Sequence, residues 1–388
     1  MFTKYLKWWL SYLDVKIDTV SNSIRPKAHF WMHTNHTIMS GEIRRIESLP
    51  FYTTILSILV VMIHNHIPPY YPEPTYSIDK FLHYFLVSVV PKVTSIAVPS
   101  FFILSGYLFY RNYNISDTFV KYKSRIRSLL IPYIIWNTLG LVIEMISRIP
   151  FFASMGTVDS NPFAVRNILF GIFFHQYTIL WFVFALIVFV ILCPIIYVAL
   201  KNKILGVLSI GIIIILISTE VLDVTLPNEL YFETSSLPYY MIGGYLGIHY
   251  KPFYQKMWKH YYMVISTIVF IVLIILQIKF ESLYKLSILV EVLKSLCFWV
   301  VCSHFVSGVK SKEWHKFSFF IFVFHLPVVR CISGFFRLLA AKLSLSFIGE
   351  EFILYILVTI VTLYICIWTA FLWNNYAPRT YSIVTGNR

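Results

Sequence analysis

The feature that most constrains this chain is a series of ten mainly apolar stretches. They lie at about 49–66, 84–109, 128–147, 178–199, 205–220, 237–249, 261–278, 287–308, 317–336 and 352–373. A helix needs roughly 20 such residues to cross a bilayer. Inside the hydrocarbon every backbone polar group must be satisfied within the protein, which favours helices for stretches of this length. The expected fold is therefore all-α, an integral membrane helical bundle of ten transmembrane helices, with the fifth and sixth the shortest. Composition agrees: of 388 residues 58% are hydrophobic and 13% are charged, against about 25% charged in ordinary soluble domains. That balance excludes a soluble globular enzyme, a disordered protein and a disulfide scaffold. Cys193, Cys297, Cys302, Cys331 and Cys366 all fall in apolar runs without metal spacing. They read as small buried hydrophobes, not as a redox or zinc framework.

The net charge of +14 would suggest nucleic acid on a soluble protein. Its distribution points elsewhere. With the N-terminus inside, the inner segments carry 22 lysines and arginines and the outer loops carry 7. The alternation is unbroken along the chain, which is the positive-inside pattern and places both termini in the cytoplasm. Basic residues scattered over six inner segments form no single stripe, so nucleic acid is not an expected partner. The chain divides into a polar segment 1–43, a transmembrane domain 44–376 and a short tail 377–388. In the first segment Trp8, Trp9 and Leu10 suggest an amphipathic surface helix. His29, His33 and His36 have helical spacing, but no carboxylate or cysteine completes a metal site.

Ionisable side chains inside a bilayer are costly and usually functional. Here they are His64, Lys92, Glu144, Glu291, Lys294, His304, His325 and Arg330. Glu291 and Lys294 stand i, i+3 on one helix face and can neutralise each other. His64 ends an apolar run. Counted at 1.5 Å per residue it lies about 22 Å into the first span, in the outer third of the core. His325, in Phe-Val-Phe-His-Leu-Pro, lies near mid-membrane by the same count. A neutral histidine can take a proton from a hydroxyl, as acyl transfer to an alcohol requires. It can equally be a packed helix partner, and residue type alone does not separate the two.

Several ordered segments resemble the membrane acyltransferase-3 family, multispan O-acyltransferases that modify bacterial surface polysaccharides. They are Arg45-Ile-Glu-Ser-Leu49 with Leu59-Val-Val-Met-Ile-His64, then Val98-Pro-Ser-Phe-Phe-Ile-Leu-Ser-Gly-Tyr-Leu-Phe109, then Arg125-Ile-Arg-Ser-Leu-Leu-Ile-Pro-Tyr133 with Trp136. Leu180-Trp-Phe182 with Pro194, Gly243-Gly244 with Gly247, Ser318-Phe-Phe-Ile321 with His325, and Thr385-Gly-Asn-Arg388 follow. The resemblance covers about residues 45–388 and implies transfer of an acyl group, usually acetyl, from acyl-coenzyme A to a sugar hydroxyl. It nominates His64 as the catalytic histidine. The sequence departs from the family at two positions. Thr53 stands where the family usually has an arginine eleven residues before that histidine, and Phe184 stands where a basic residue often follows the Trp-Phe pair.

If the resemblance holds, the donor is an anion confined to the inside. Lys121, Lys123, Arg125 and Arg127 form the densest basic cluster facing it, and arginine forks suit phosphate oxygens. The same cluster also serves topology. Ser105 and Gly106, at the inner end of the second span, would line the path where glycine permits close backbone approach. Glu144, at comparable outer depth, could orient His64 or hold its proton. The expected protein is a multi-pass acetyltransferase of the inner (plasma) membrane. It would take acetyl-CoA or another acyl-CoA as donor substrate, with no permanently bound cofactor and no metal. Its expected partners are a saccharide or lipid-linked saccharide acceptor and membrane lipids; the sequence sets no oligomeric state. Two rivals are a degenerate relative acting in polysaccharide export and a transporter. For a transporter, paired inverted repeats and broken helices are expected, and the sequence suggests neither.

Overall fold

The computed structural model describes residues 48–65, 77–147, 179–222, 232–251, 253, 259–280, 286–306, 312–343 and 349–387. Among them the regular elements are all helical. They are α1 (Ser48–His64), α2 (Ser77–Tyr110), α3 (Thr118–Arg125), α4 (Ile131–Ser147), α5 (Trp181–Ile191) and α6 (Cys193–Leu200). Then follow α7 (Lys203–Ser218), α8 (Ser236–His249), α9 (His260–Lys279), α10 (Ser287–Val306), α11 (Ser318–Leu343), α12 (Glu350–Tyr376) and α13 (Pro378–Thr385). The described part of each of the ten apolar stretches is largely helical. Five runs are long and apolar enough to cross a membrane unaided: Ser77–Tyr110, His260–Lys279, Ser287–Phe305, Glu313–Phe336 and Glu350–Tyr376. A sixth arises if the bent pair α5 and α6 is one span, and α1 and α7 are apolar but shorter.

Prolines set the irregularities. A proline lacks the N–H of the helical ladder and its ring crowds the preceding turn. Two π-helical turns, Phe85–Val89 and Ile126–Leu130, lie immediately upstream of Pro91 and Pro132. A further irregularity at Ser95 and Ile96 precedes Pro99. Pro194 accompanies a 69° bend between α5 and α6, so the expectation of no broken helix is corrected. Hydroxyl groups bond the carbonyls at that bend: Tyr122 donates to Ile191 O at 2.9 Å and Tyr110 to Cys193 O at 3.1 Å.

Glu291 and Lys294 pair as their spacing expects, with Nζ 2.7 Å from Oε1. Lys294 is fully buried, and its ammonium also donates to Lys92 O (2.8 Å) and Ser95 Oγ (2.9 Å). The charge therefore neutralises Glu291 and caps the irregular turn of α2, which is a structural use. Cys331 departs from expectation: it is exposed on α11, while Cys193, Cys302 and Cys366 are buried.

The tightest helix crossing joins α2 to α8. A Cβ on Gly243 would stand 1.9 Å from Ile103 O, one on Gly106 2.1 Å from Tyr240 O, and one on Gly247 2.6 Å from Tyr107 O. Hydrogen there lets the two backbones touch, the usual device of helix association in lipid. By contrast α9 turns Ile265, Ile268, Ile271 and Ile275 outward, as a lipid-facing helix does.

The two ends of the bundle are tied separately. At one, Thr54 Oγ1 lies 3.1 Å from His315 O, Trp136 Nε1 donates to Val384 O (2.9 Å), and His249 Nε2 lies 2.8 Å from Leu200 O. At the other, His83 Nδ1 meets Glu351 Oε2 (2.9 Å), and the Gly349 N–H donates to Asp79 Oδ1 (2.7 Å). There Asn65 Nδ2 also donates to Tyr355 O (2.8 Å) and Thr359 Oγ1 (2.9 Å).

Candidate active site

Two histidines from helices distant in sequence meet inside the bundle. His64 closes α1 and His325 stands in α11, and their ring centroids are 5.2 Å apart. Hydroxyl groups hold α1 against the start of α11, since Ser57 Oγ lies 3.0 Å from Ser318 O. His325 is fully buried. Its Nδ1 lies 2.7 Å from Phe322 O and 3.1 Å from Ile321 O.

Below the pair lies a cavity of about 440 Å³. Leu104, Leu108, Leu129, Leu186 and Val190 make its walls apolar, and Ser105, Thr53, Tyr240 and His315 add polar atoms. Its cations are Arg125 and Lys316, and Lys316 is exposed, which marks the open end. Its other boundary is aromatic. The rings of Phe101, Phe182 and Phe322 stand 5.4–6.3 Å apart as a triangle. Phe322 in turn lies 6.5 Å from the His325 ring. One helical turn, about 5 Å of rise, separates Phe322 from His325. Neither histidine of the pair lines the cavity.

A second cavity of about 540 Å³ adjoins the first through Arg125, which lines both. Val120, Lys123, Ser124, Arg127, Ser128, Gly386 and Asn387 line the rest of it. Thus three of the four expected basic residues converge on one polar hollow. Lys121 does not line it; its ammonium packs 5.7 Å from the Phe109 ring centroid. Arg125 also stacks on Phe109, at 5.5 Å. Burial lowers its pKa from the usual value while Tyr240 opposes the shift, and a guanidinium stays charged regardless.

The other expected site residues fall as follows. Ser105 lines the first cavity, but Gly106 turns away from it. The close backbone approach that Gly106 permits among the described residues is to Tyr240 O on α8. Glu144 belongs to α4 by backbone, and its side chain lies outside the described residues, as do His29, His33, His36 and the Trp8–Leu10 segment. Thr53 faces the cavity that holds Arg125 and Lys316, while Phe184 packs on Tyr133, with centroids 6.1 Å apart. His315 and Lys316 were not singled out from sequence. His315 is buried and accepts the Lys312 N–H at Nδ1 (3.1 Å), leaving Nε2 to carry its proton. The available signal is a histidine and a lysine just ahead of Ser318-Phe-Phe, of which only the lysine enters the topology count.

The arrangement suits an elongated anion. Its phosphates would take the basic hollow, its less polar arm the apolar cavity, and its reactive end would approach a histidine pair able to move a proton. No curated protein and no solved structure matches the chain. A family model described as an acyltransferase domain matches residues 54–371, a range that includes both histidines, the three cations of the basic hollow and the phenylalanine triangle. On that match the chain belongs to the acyltransferase-3 family.

Proposed function

We propose that the protein is a membrane O-acyltransferase, with acyl-CoA, most simply acetyl-CoA, as donor and a hydroxyl of a cell-surface or lipid-linked saccharide as acceptor. The observation that carries this reading is the cavity that begins at Arg125 and Lys316 and stops one aromatic ring short of the His64–His325 pair. In this reading the chain spans the plasma membrane ten times with both termini inside. One observation supports that topology: the contacts at each end of the bundle join residues that the lysine and arginine count assigns to the same side. On that topology Arg125 and Lys316 open toward the side where coenzyme A resides.

The chemistry follows from the residues. Lys123, Arg125 and Arg127 hold the donor phosphates by charge-assisted bonds. The apolar cavity takes the pantetheine arm. His64, neutral, removes the proton of the acceptor hydroxyl as its oxygen attacks the thioester carbonyl. The carbon–oxygen bond forms, the carbon–sulfur bond breaks, and the departing thiolate takes the proton from the imidazolium. The phenylalanine triangle must part for the thioester to reach His64, and while closed it keeps water from the donor.

A transporter reading gains the bent α5–α6 pair, but hydroxyls bond the carbonyls at that bend, leaving little to coordinate an ion. A non-catalytic relative gains Thr53 and Phe184. The discriminating experiment is transfer of labelled acetyl from acetyl-CoA to membrane glycan, with His64→Gln as the key variant. Gln retains hydrogen bonding and cannot act as base, and general-base catalysis contributes typically 10²–10⁴-fold. Transfer should fall to background at unchanged donor affinity. Near-normal transfer by His64→Gln would remove His64 from the chemistry, and no transfer by the unaltered protein would favour the non-catalytic relative.

A further inference from the structure

We propose that Tyr240 is a donor-binding residue: its hydroxyl and the Arg125 guanidinium together seat the phosphate at the head of the pantetheine arm of acyl-CoA. The inference rests on acyl-CoA being the donor. The first observation is a hydroxyl without an acceptor. Tyr240 stands in α8, is 1% exposed and lines the apolar cavity. Its Oη is buried and has no hydrogen-bond partner among the described residues. The neighbouring tyrosines differ. Tyr110 Oη donates to Cys193 O at 3.1 Å, and Tyr113 Oη shares a hydrogen bond with Thr118 Oγ1 at 2.6 Å. A buried hydroxyl left unmet is costly and calls for an explanation. The ring is held in place, because Phe189 and Tyr110 pack on it with centroids 4.9 and 5.9 Å away.

The second observation is the charge beside it. Arg125 and Tyr240 interact electrostatically, yet no hydrogen bond joins them. A guanidinium and a hydroxyl side by side can both donate to one anionic group. Their place in the two cavities says which one. Arg125 lines both, whereas Tyr240 lines the apolar cavity and not the basic hollow. Lys123 and Arg127 are exposed, while Arg125 is half-buried. The outer two cations therefore face the phosphates nearer solvent, and Arg125 with Tyr240 faces the innermost. In coenzyme A the pantetheine arm is esterified to the terminal phosphate of the pyrophosphate. That phosphate is the group at which the polar end of the donor gives way to the arm, as the hollow gives way to the apolar cavity at Arg125.

A tyrosine suits this place. An empty site leaves one neutral hydroxyl unmet, a far smaller penalty than a second buried cation would carry. Once the phosphate is seated, its position sets how far the arm reaches toward Phe322 and the histidine pair. The sequence gives no hint of this, since Tyr240 is one of two adjacent tyrosines in an apolar run.

The test compares Tyr240→Phe with the unaltered full-length protein by titration calorimetry in maltoside micelles, which bring no phosphate of their own. Phe keeps the ring packing and removes only the hydroxyl. The dissociation constant of acetyl-CoA should rise about ten- to a hundredfold, the worth of one hydrogen bond to a charged group. The constant for 4′-phosphopantetheine, which keeps the arm and its phosphate but lacks the nucleotide, should rise by the same factor. Added to Arg125→Gln, Tyr240→Phe should weaken binding by a clearly smaller factor, because groups that share one ligand do not act additively. Melting of the ligand-free Tyr240→Phe protein should stay level or rise, since the lost hydroxyl bonds no described residue. Unchanged acetyl-CoA affinity overturns the inference. So does a loss that spares 4′-phosphopantetheine, a full loss on top of Arg125→Gln, or a loss matched by lower melting. If the unaltered protein binds no acetyl-CoA, the donor reading beneath fails instead.

Discussion

Replacing Gly243 by alanine should loosen the crossing beside the cavity that Arg125 and Lys316 line. The added Cβ would stand 1.9 Å from Ile103 O and 2.7 Å from Ile103 C. Both are backbone atoms in the middle of a helix, so no side chain can swing aside. Ordinary contact begins near 3.4 Å, so α2 and α8 would have to part locally by about 1.5 Å. Overpacking of a tight core costs about 1–3 kcal/mol, and a backbone obstacle belongs at the upper end. Gly211 supplies the control, since a Cβ there meets nothing within 4 Å and alanine gains about 1 kcal/mol of helix propensity over glycine. The assay is retention of monodisperse protein after heating in detergent, with acetyl-CoA affinity measured on the survivors. Gly243→Ala should melt several degrees lower and bind donor more weakly, because Ser105 of α2 and Tyr240 of α8 both line the cavity. Gly211→Ala should melt at or above the parent. Equal melting of the two variants would refute the described contact between α2 and α8.

Three further outcomes follow from the same geometry. Converting Lys123 and Arg127 to Gln should raise the acetyl-CoA dissociation constant about ten- to a hundredfold, with the difference shrinking at high salt. Gly386→Ala should act in the same direction, because φ is +71° and a Cβ would meet Ser128 O at 2.5 Å; isothermal titration reads both. Lys294→Met should destabilise by about 3–5 kcal/mol by leaving the Glu291 carboxylate without its cation, and adding Glu291→Gln should restore part of that in the same melting assay. In a cysteine-free background, cysteine at Lys201 should label only from the cytoplasm and cysteine at Glu229 only from outside; a reversal at either position breaks the ten-span topology at that loop.

Much of the bundle was legible because the bilayer imposes a one-dimensional rule. A run such as 261–278 must be helix wherever its neighbours lie, and α9 answers it closely. The Glu291–Lys294 pair was legible for the same reason, since i, i+3 spacing is a property of one helix. The break at Pro194 was present as a proline, yet one proline does not say whether a helix kinks or divides. Gly106 shows the opposite failure. Glycine signals close approach but does not name the partner, and the backbone that Gly106 meets is Tyr240 O on α8.

The sequence by itself determined the helical class, the alternation of basic and less basic loops, and His64 as the histidine to test. Each of these depends on local composition or on a motif read in order. Only the tertiary structure brought His325 to within one ring of His64 across 261 positions of chain, turned Arg125 toward two cavities, and added His315 and Lys316 to the wall that Thr53 shares. The physical reason is that hydropathy fixes how far along the membrane normal a residue sits, while its neighbours are chosen by how the helices pack side by side, through contacts such as Gly243 on Ile103 that no single helix contains.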